Sequence, residues 1–331
     1  MSDKYKVEFK TSFLLSTITK IGIGLAALGR PEYINIRESH AIDKSEEAFR
    51  ENAFRVLDFA YANGVRFFDT APSYGKGERY LIDWKTNRKH SDVVFSTKWG
   101  YTYVANWELG YEGKHEIKEH SLDKLLEQWK VSQLLLPELQ IYQVHSATLD
   151  SGILKNELVL SQLHWIKKTM GIQIGISTSG DNQNEIILEA LNIKINDDYL
   201  FDSFQVTYNI LEQSTYDVLN ILKSKNKTII IKEALANGRI FNTENKTVFP
   251  ILESFSKKYN VGIDAIAMRF VMESINPTYV LSGASNTNQL EQNLKALHKE
   301  LSFTLSEIDQ LKLLHTNPTS YWEERSNLSW D

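Results

Sequence analysis

Val65-Arg66-Phe67-Phe68-Asp69, Val93-Val94-Phe95-Ser96-Thr97-Lys98 and Ile141-Tyr142-Gln143-Val144-His145 are three short apolar runs, each ending on a side chain able to carry charge. Runs of this length, apolar on consecutive positions, read as β-strands buried on both faces. Working outward from them, the same signature predicts eight strands, over 21–25, 65–69, 93–98, 139–145, 172–176, 203–208, 228–232 and 278–282. Helical spacing of apolar residues fills the gaps, over 45–63, 77–87, 116–130, 156–170, 182–192, 215–225, 250–274 and 286–298. The first helix is the clearest: Ser45 can cap it, Ala48, Phe49, Ala53, Val56, Leu57 and Ala60 recur at helical spacing, and Asn63-Gly64 stops it. Eight strand–helix units predict an α/β architecture, a single (β/α)8 TIM barrel, as one domain over 1–331. A doubly wound open sheet competes, but no Gly-x-Gly-x-x-Gly turn follows a strand, and Gly22 and Gly24 fall inside a strand pattern.

The composition narrows the function. The chain has 331 residues, 42% of them hydrophobic, enough for a large core. Its net charge is −5, from 37 basic and 42 acidic residues with no basic cluster suited to a phosphate backbone, so no nucleic-acid partner is expected. With no cysteine there is no disulfide, thiolate–zinc site or thiol nucleophile. Residues 1–10 lack the apolar region of a secretory leader, and no segment approaches the roughly 20 apolar residues of a membrane span. A cytoplasmic protein without a membrane partner is the expectation. Two stretches exceed ordinary loop length: residues 99–115, with Trp99, Tyr101, Tyr103, Trp107 and Tyr111, and the tail from Thr316 to Trp330. Both are expected to lie over the active-site face as walls or covers.

In a parallel barrel every strand ends on the same face. Asp69, Lys98 and His145 should therefore converge, with Tyr74 in the loop just beyond Asp69. Alone, each has an ordinary explanation: a turn-capping Asp, a surface Lys, a hydrogen-bonded His, a packed loop Tyr. Together on one rim they can make a proton-donating site. Tyr74 would protonate a carbonyl oxygen, Lys98 would lower the phenol pKa from about 10, Asp69 would hold the ammonium, and His145 would orient the carbonyl. None of these side chains can deliver a hydride, so a nicotinamide cofactor is required for carbonyl reduction. A glycosidase would need a second rim carboxylate within about 5–10 Å of Asp69, and no obvious one is present.

These segments resemble the aldo-keto reductases. Phe68-Asp69-Thr70-Ala71-Pro72-Ser73-Tyr74-Gly75 with Gly77-Glu78, Ser96-Thr97-Lys98 and Tyr142-Gln143-Val144-His145 are similar to the family's catalytic segments, in order and at its spacing. The resemblance covers nearly the whole chain. It implies a barrel that moves a hydride between NADP or NAD and a small carbonyl. It also implies cofactor contacts. Ser177 and Gln205 match residues that hold the nicotinamide carboxamide, with Thr178 where the family commonly has Asn. Lys232, Leu235, Asn237, Gly238 and Arg239 fall in the pyrophosphate loop, Lys232 replacing a stacking aromatic. Gly283, Ser285 and Gln289 stand where many members place basic residues for a 2′-phosphate, and Gln292 and Asn293 where the adenine is contacted. The missing cations lean the expectation towards NAD or dual use. Gly24 to Gly29 and Tyr321 to Ser326 look like the bacterial sugar-dehydrogenase-like branch, which implies aldoses or other small polar carbonyls, with Trp99 and Trp107 as substrate contacts. A non-catalytic, cofactor-binding regulatory or sensor protein of the same fold is the alternative, against which the intact tetrad argues.

Overall fold

Every predicted barrel run becomes a strand. In the computed structural model, which describes residues 19–33 and 43–329, these are β1 Ile21–Gly24, β2 Phe67–Asp69, β3 Val94–Trp99, β4 Leu139–Ala147, β5 Gln173–Thr178, β6 Phe201–Thr207, β7 Thr228–Lys232 and β8 Tyr279–Ser282. Residues 1–10 and Trp330 lie outside the described residues. The strands pair in parallel and in sequence order, and β8 closes back on β1 with Ile21 opposite Val280. The expected closed (β/α)8 barrel is the fold, and no described helix is long and apolar enough to cross a membrane.

Alternation of side chains along each strand sorts the two faces of the wall. Phe68, Phe95, Tyr142 and Val144 pack outward into one continuous core with the surrounding helices. Phe67, Ile141, Ile230 and Leu281 form a separate apolar floor inside the barrel, extended by Tyr279 stacked on Phe67 at 3.9 Å. Above that floor the inward positions turn polar: Asp69, Ser96, Gln143 and Gln205, all buried.

The helices form where capping and spacing permit. In α1 (Glu46–Ala62), Ser45 accepts from the Ala48 amide, as the sequence suggests. Then follow α2 (Gly77–Arg88), α3 (Leu122–Ser132), α4 (Glu157–Met170), α5 (Gln183–Leu191), α6 (Tyr216–Ser224), α7 (Phe249–Tyr259), α8 (Ile263–Ile275), α9 (Thr287–Leu294), α10 (Leu305–Lys312) and α11 (Pro318–Ser326). Four segments depart from the predicted pattern. The helix expected from 116 begins at Leu122, because Glu116–Lys118 pairs antiparallel with Tyr101–Tyr103 and Ser121 caps the helix after it. The segment 99–115 is thus largely the arm and turn of a hairpin. The expected helix 250–274 is two helices, broken where Asn260 takes φ +52° ahead of Gly262. The tail is not irregular. Asn317 with Pro318 in the first turn starts α11 within it, and just before it a capping box between Thr304 and Glu307 starts α10.

α11 is fastened to the rim. Tyr321 is buried, its hydroxyl accepting from Asn209 Nδ2 at 2.9 Å, and Arg239 Nη1 donates to its carbonyl at 2.9 Å. Arg325 forks onto Glu233, just past β7, with N–O distances of 2.7–3.1 Å. Burial alone would raise the Glu233 pKa, but Arg325 and Lys232 outweigh it and hold the carboxyl at about 2.

Two predictions follow from this packing. A Cβ on Gly29 would sit 2.1 Å from the Tyr74 carbonyl oxygen and 2.4 Å from the Gly77 amide, both backbone atoms. Gly29→Ala should therefore cost about 1–3 kcal/mol by overpacking and push the Tyr74 loop outward, read as a lower thermal midpoint. The Glu233 shift is downward, so its contribution to stability is full above the unfolded value near 4.5 and fades as pH falls towards 2. Arg325→Met should destabilise the fold at neutral pH by about 3 kcal/mol and shrink the loss of stability between those two pH values, measured as urea midpoints against pH.

Candidate active site

The C-terminal ends of β2, β3 and β4 deliver Asp69, Lys98 and His145 to one rim, and Tyr74 hangs above them from the loop that follows β2. Lys98 Nζ is paired with Asp69 Oδ2 and donates to the Thr70 carbonyl at 3.0 Å; both side chains are buried. Asp69 Oδ1 accepts from Gln205 Nε2 at 3.0 Å and Gln143 Nε2 at 3.3 Å, and Gln143 also reaches Ser96 Oγ at 2.7 Å. Lys98 Nζ lies 4.8 Å from the centre of the Tyr74 ring. The Tyr74 and His145 rings meet edge to face at 5.6 Å, and His145 Nδ1 is 3.3 Å from Ser73 Oγ. The four residues expected to converge do so.

Their electrostatics differ from the simplest expectation in one respect. The Tyr74 phenol pKa is raised well above 10, not lowered: burial is the largest cause, the Asp69 carboxylate adds to it, and Arg30 opposes both. Asp69 has largely cancelled the charge of the amine that was to do the lowering. Lys98 itself is lowered by burial, with Asp69 working against that. His145 is held well below its usual range by burial and by Lys98, so it is neutral at physiological pH.

The rim encloses a polar cavity of about 190 Å³. Tyr74, His145, Ser177, Gln205 and Lys232 line it, while Asp69 and Lys98 lie beneath. Arg30, Tyr33, Glu116, Glu233 and Arg325 line it too, and the sequence reading missed them as site residues. Glu233 was within reach of the strand-end rule, being one residue past β7; Arg30 and Glu116 meet only through the fold. A larger, shallower cleft of about 420 Å³ between Tyr216, Lys312, Leu313 and Pro318 contains none of these groups, so chemistry and not volume singles out the rim.

The remaining candidates scatter. Ser177 is opposite Gln205 in the β5–β6 register, and its hydroxyl accepts from the Ser146 amide at 2.8 Å. Lys232 donates to Thr207 Oγ1 at 2.7 Å and Ser179 Oγ at 3.1 Å, and burial lowers its pKa to about 8. Leu235, Asn237, Gly238 and Arg239 form a tight turn with φ +57° at Asn237 and +90° at Gly238. Past β8, Gly283 and Ser285 lead into α9, where Gln289 Oε1 accepts from the Ser285 amide at 2.9 Å. Gln292 Oε1 accepts from Lys295 at 2.6 Å. Asn293 is buried and engaged with Ser282 Oγ and Asp264 Oδ2, each at 2.7 Å. Of the expected aromatic wall, Tyr101 stands at the site with its ring centre 4.8 Å from that of His145, while the two tryptophans do not line the cavity. Trp99 follows the inward Lys98 and so faces outward, fully buried against His120. Trp107 packs on Phe49 at 5.4 Å and donates to the Lys44 carbonyl.

Comparison with known proteins bears on the family and the fold. The profile of the Aldo/keto reductase family matches residues 20–313. The uncharacterized oxidoreductase YqkF of Bacillus subtilis is 22% identical over 334 residues, covering 93% of this chain and 96% of its own. L-galactose dehydrogenase of Arabidopsis thaliana is 24% identical over 318 residues, 89% of this chain and 90% of its own. The holo form of the aldo-keto reductase AKR11C1 from Bacillus halodurans superposes with a TM-score of 0.65 at 19% identity, covering 90% of this chain and 93% of that one. With a barrel of the right closure, a rim that gathers Asp69, Tyr74, Lys98 and His145, and a profile spanning most of its length, this chain belongs to the aldo/keto reductase family.

Proposed function

We propose that this chain interconverts a small polar aldehyde or ketone, aldoses among them, and its alcohol, using a nicotinamide dinucleotide. The observation that carries the reading is the convergence of a buried phenol, a buried ammonium–carboxylate pair and a neutral imidazole on one polar cavity. The donors present suit the cofactor. Ser177 accepts from the Ser146 amide and keeps its proton to donate; Gln205 gives its Nε2 to Asp69 and keeps its amide oxygen to accept. Side by side, they complement the two ends of a carboxamide. The amides at the start of α9 suit a phosphate, beside Ser285 and Gln289.

A bound nicotinamide supplies the hydride in reduction and accepts it in oxidation. Tyr74 gives its proton to the carbonyl oxygen, or removes the alcohol proton in the reverse direction. Lys98 Nζ lies 4.8 Å from the centre of the phenol ring with its charge largely matched by Asp69, which keeps the ammonium charged and fixed. His145 is neutral; in the tautomer whose Nδ1 accepts from Ser73 Oγ, its Nε2 carries the proton and donates to the same oxygen. The wall of the cavity carries two ion pairs, Arg30–Glu116 and Arg325–Glu233, whose donors and acceptors match substrate hydroxyls better than an aromatic face. The similarity to an L-galactose dehydrogenase supports that choice. One barrel carries the whole site, so we read residues 1–331 as a single functional unit, in keeping with a cytoplasmic enzyme.

Turnover with NADH or NADPH and a panel of aldoses and short aldehydes, followed at the nicotinamide absorbance band, tests the proposal. Tyr74→Phe should lower kcat by about 100- to 10,000-fold and leave cofactor affinity within a few-fold. Cofactor binding without turnover on any carbonyl would instead identify a regulatory or sensor protein. No cation stands among Gly283, Ser285 and Gln289, which supports NAD or dual use. Gln289→Arg should raise the ratio of kcat/KM for NADPH over NADH about tenfold, as one added charge-assisted contact to a 2′-phosphate would.

A further inference from the structure

We infer that Arg30 is a positioning residue for proton transfer: clamped by Glu116, it is the cation that governs the acidity of the Tyr74 phenol. This rests on Tyr74 being the proton donor of the proposed reaction. Lys98 approaches the same ring, but its charge is matched by Asp69 in direct contact. Arg30, in the loop after β1, places its guanidinium carbon 5.0 Å from the Tyr74 ring centre and 4.3 Å from that of Tyr33. It is 1% exposed. Nη1 donates to Glu116 Oε1 at 2.8 Å and to the Ser73 carbonyl at 3.4 Å, and Nε to the Ala26 carbonyl at 3.4 Å. The stem runs along Gly75, where a Cβ would lie 2.8 Å from Arg30 Cγ. Three segments therefore fix one guanidinium against one phenol: the loop after β1, the Tyr74 loop and the hairpin arm at 116–118.

The titratable groups around the cavity with Tyr74 are His145 from β4, Arg30 and Tyr33 from the first loop, Glu116 from the hairpin, Lys232 and Glu233 at the end of β7 and Arg325 from α11, with Asp69 and Lys98 beneath. Burial, Asp69, Glu116 and Glu233 all push the phenol pKa up, and Arg30 pulls it down. Glu116 has a double part, since it holds the guanidinium in place while partly cancelling its charge.

That double part gives a test that ordinary structural damage does not imitate. Protein labelled with fluorotyrosine, whose lower intrinsic pKa brings the titration into reach, is followed by fluorine NMR, and Tyr74→Phe assigns the resonance. Arg30→Met should move the Tyr74 midpoint up by about one pH unit, equivalent to a tenfold change. Glu116→Gln should move it down, and Arg30→Lys should return most of the Arg30→Met shift. In parallel, kcat for alcohol oxidation below the midpoint should fall about tenfold in Arg30→Met, with KM for the dinucleotide unchanged. If Arg30→Met does not fold, Arg30→Lys and Glu116→Gln still decide by the direction of their shifts. Midpoints that do not move, or that move the same way in the charge-removing pair, overturn the inference. Shifted midpoints in a protein without turnover uphold Arg30 and sink the proposed reaction instead.

Discussion

The Asp69–Lys98 ion pair is the constraint around which the interior is arranged. An unpaired charge at this depth is prohibitive, and even a pair is a net cost unless its remaining lone pairs and protons are satisfied. The barrel satisfies them: Gln143 and Gln205 donate to the carboxylate, and the Thr70 carbonyl accepts from the ammonium. That requirement dictates the polar layer above the apolar floor of Phe67, Ile141, Ile230 and Leu281. It also explains why the glutamines lie on β4 and β6, strands on either side of β5 with inward positions at the right height. The small Gly175 between them allows this, since a Cβ there would stand 2.7 Å from Gln143 Cγ.

The same pairing limits what Lys98 can do. A cation in contact with an anion presents a dipole to its surroundings, and the field of a dipole falls faster with distance than that of a charge. Tyr74 therefore feels burial first, and its phenol stays protonated through neutral pH. A protonated phenol is the form that carbonyl reduction needs. The reverse direction needs the phenolate, so any group that pulls the pKa down bears on how freely the site runs both ways. The second cation, Arg30, is paired to Glu116, which lines the same cavity and partly offsets its charge at the phenol.

The strands and the tetrad were legible because a barrel makes topology do the work of distance: three runs ending in Asp69, Lys98 and His145 must share a face. The inner layers were legible too, in the period-two spacing of Ser96 and Lys98, Gln143 and His145, and Ser203, Gln205 and Thr207. That spacing also determines Trp99, which follows an inward lysine and so faces the helices. Length and aromatic content suggested a wall there, but parity decides. The break in the long helix after Tyr259 was written in Asn260-Val261-Gly262, and the tail helix in Asn317-Pro318. What no local pattern discloses is the meeting of Arg30 with Glu116 or of Glu233 with Arg325. Each pair joins segments whose only common feature is the rim they reach.

Those two pairs give the cavity its character. Arg30 is matched by Glu116, Lys98 by Asp69 and Arg325 by Glu233, which leaves Lys232 sharing Glu233 at 3.5 Å with the stronger cation. Burial then lowers the Lys232 pKa to about 8, the response of an ammonium given too little compensating charge. Among the described residues the cavity thus holds one cation without a carboxylate of its own, and it presents fixed donors and acceptors on every side. Replacing water at such a wall is favourable only for a ligand that returns those hydrogen bonds, which an apolar aldehyde cannot do and a polyol can. One of the pairs is contributed by α11, so the tail helix is part of the cavity wall, and its attachment through Arg325 ties the C-terminal segment to the rim.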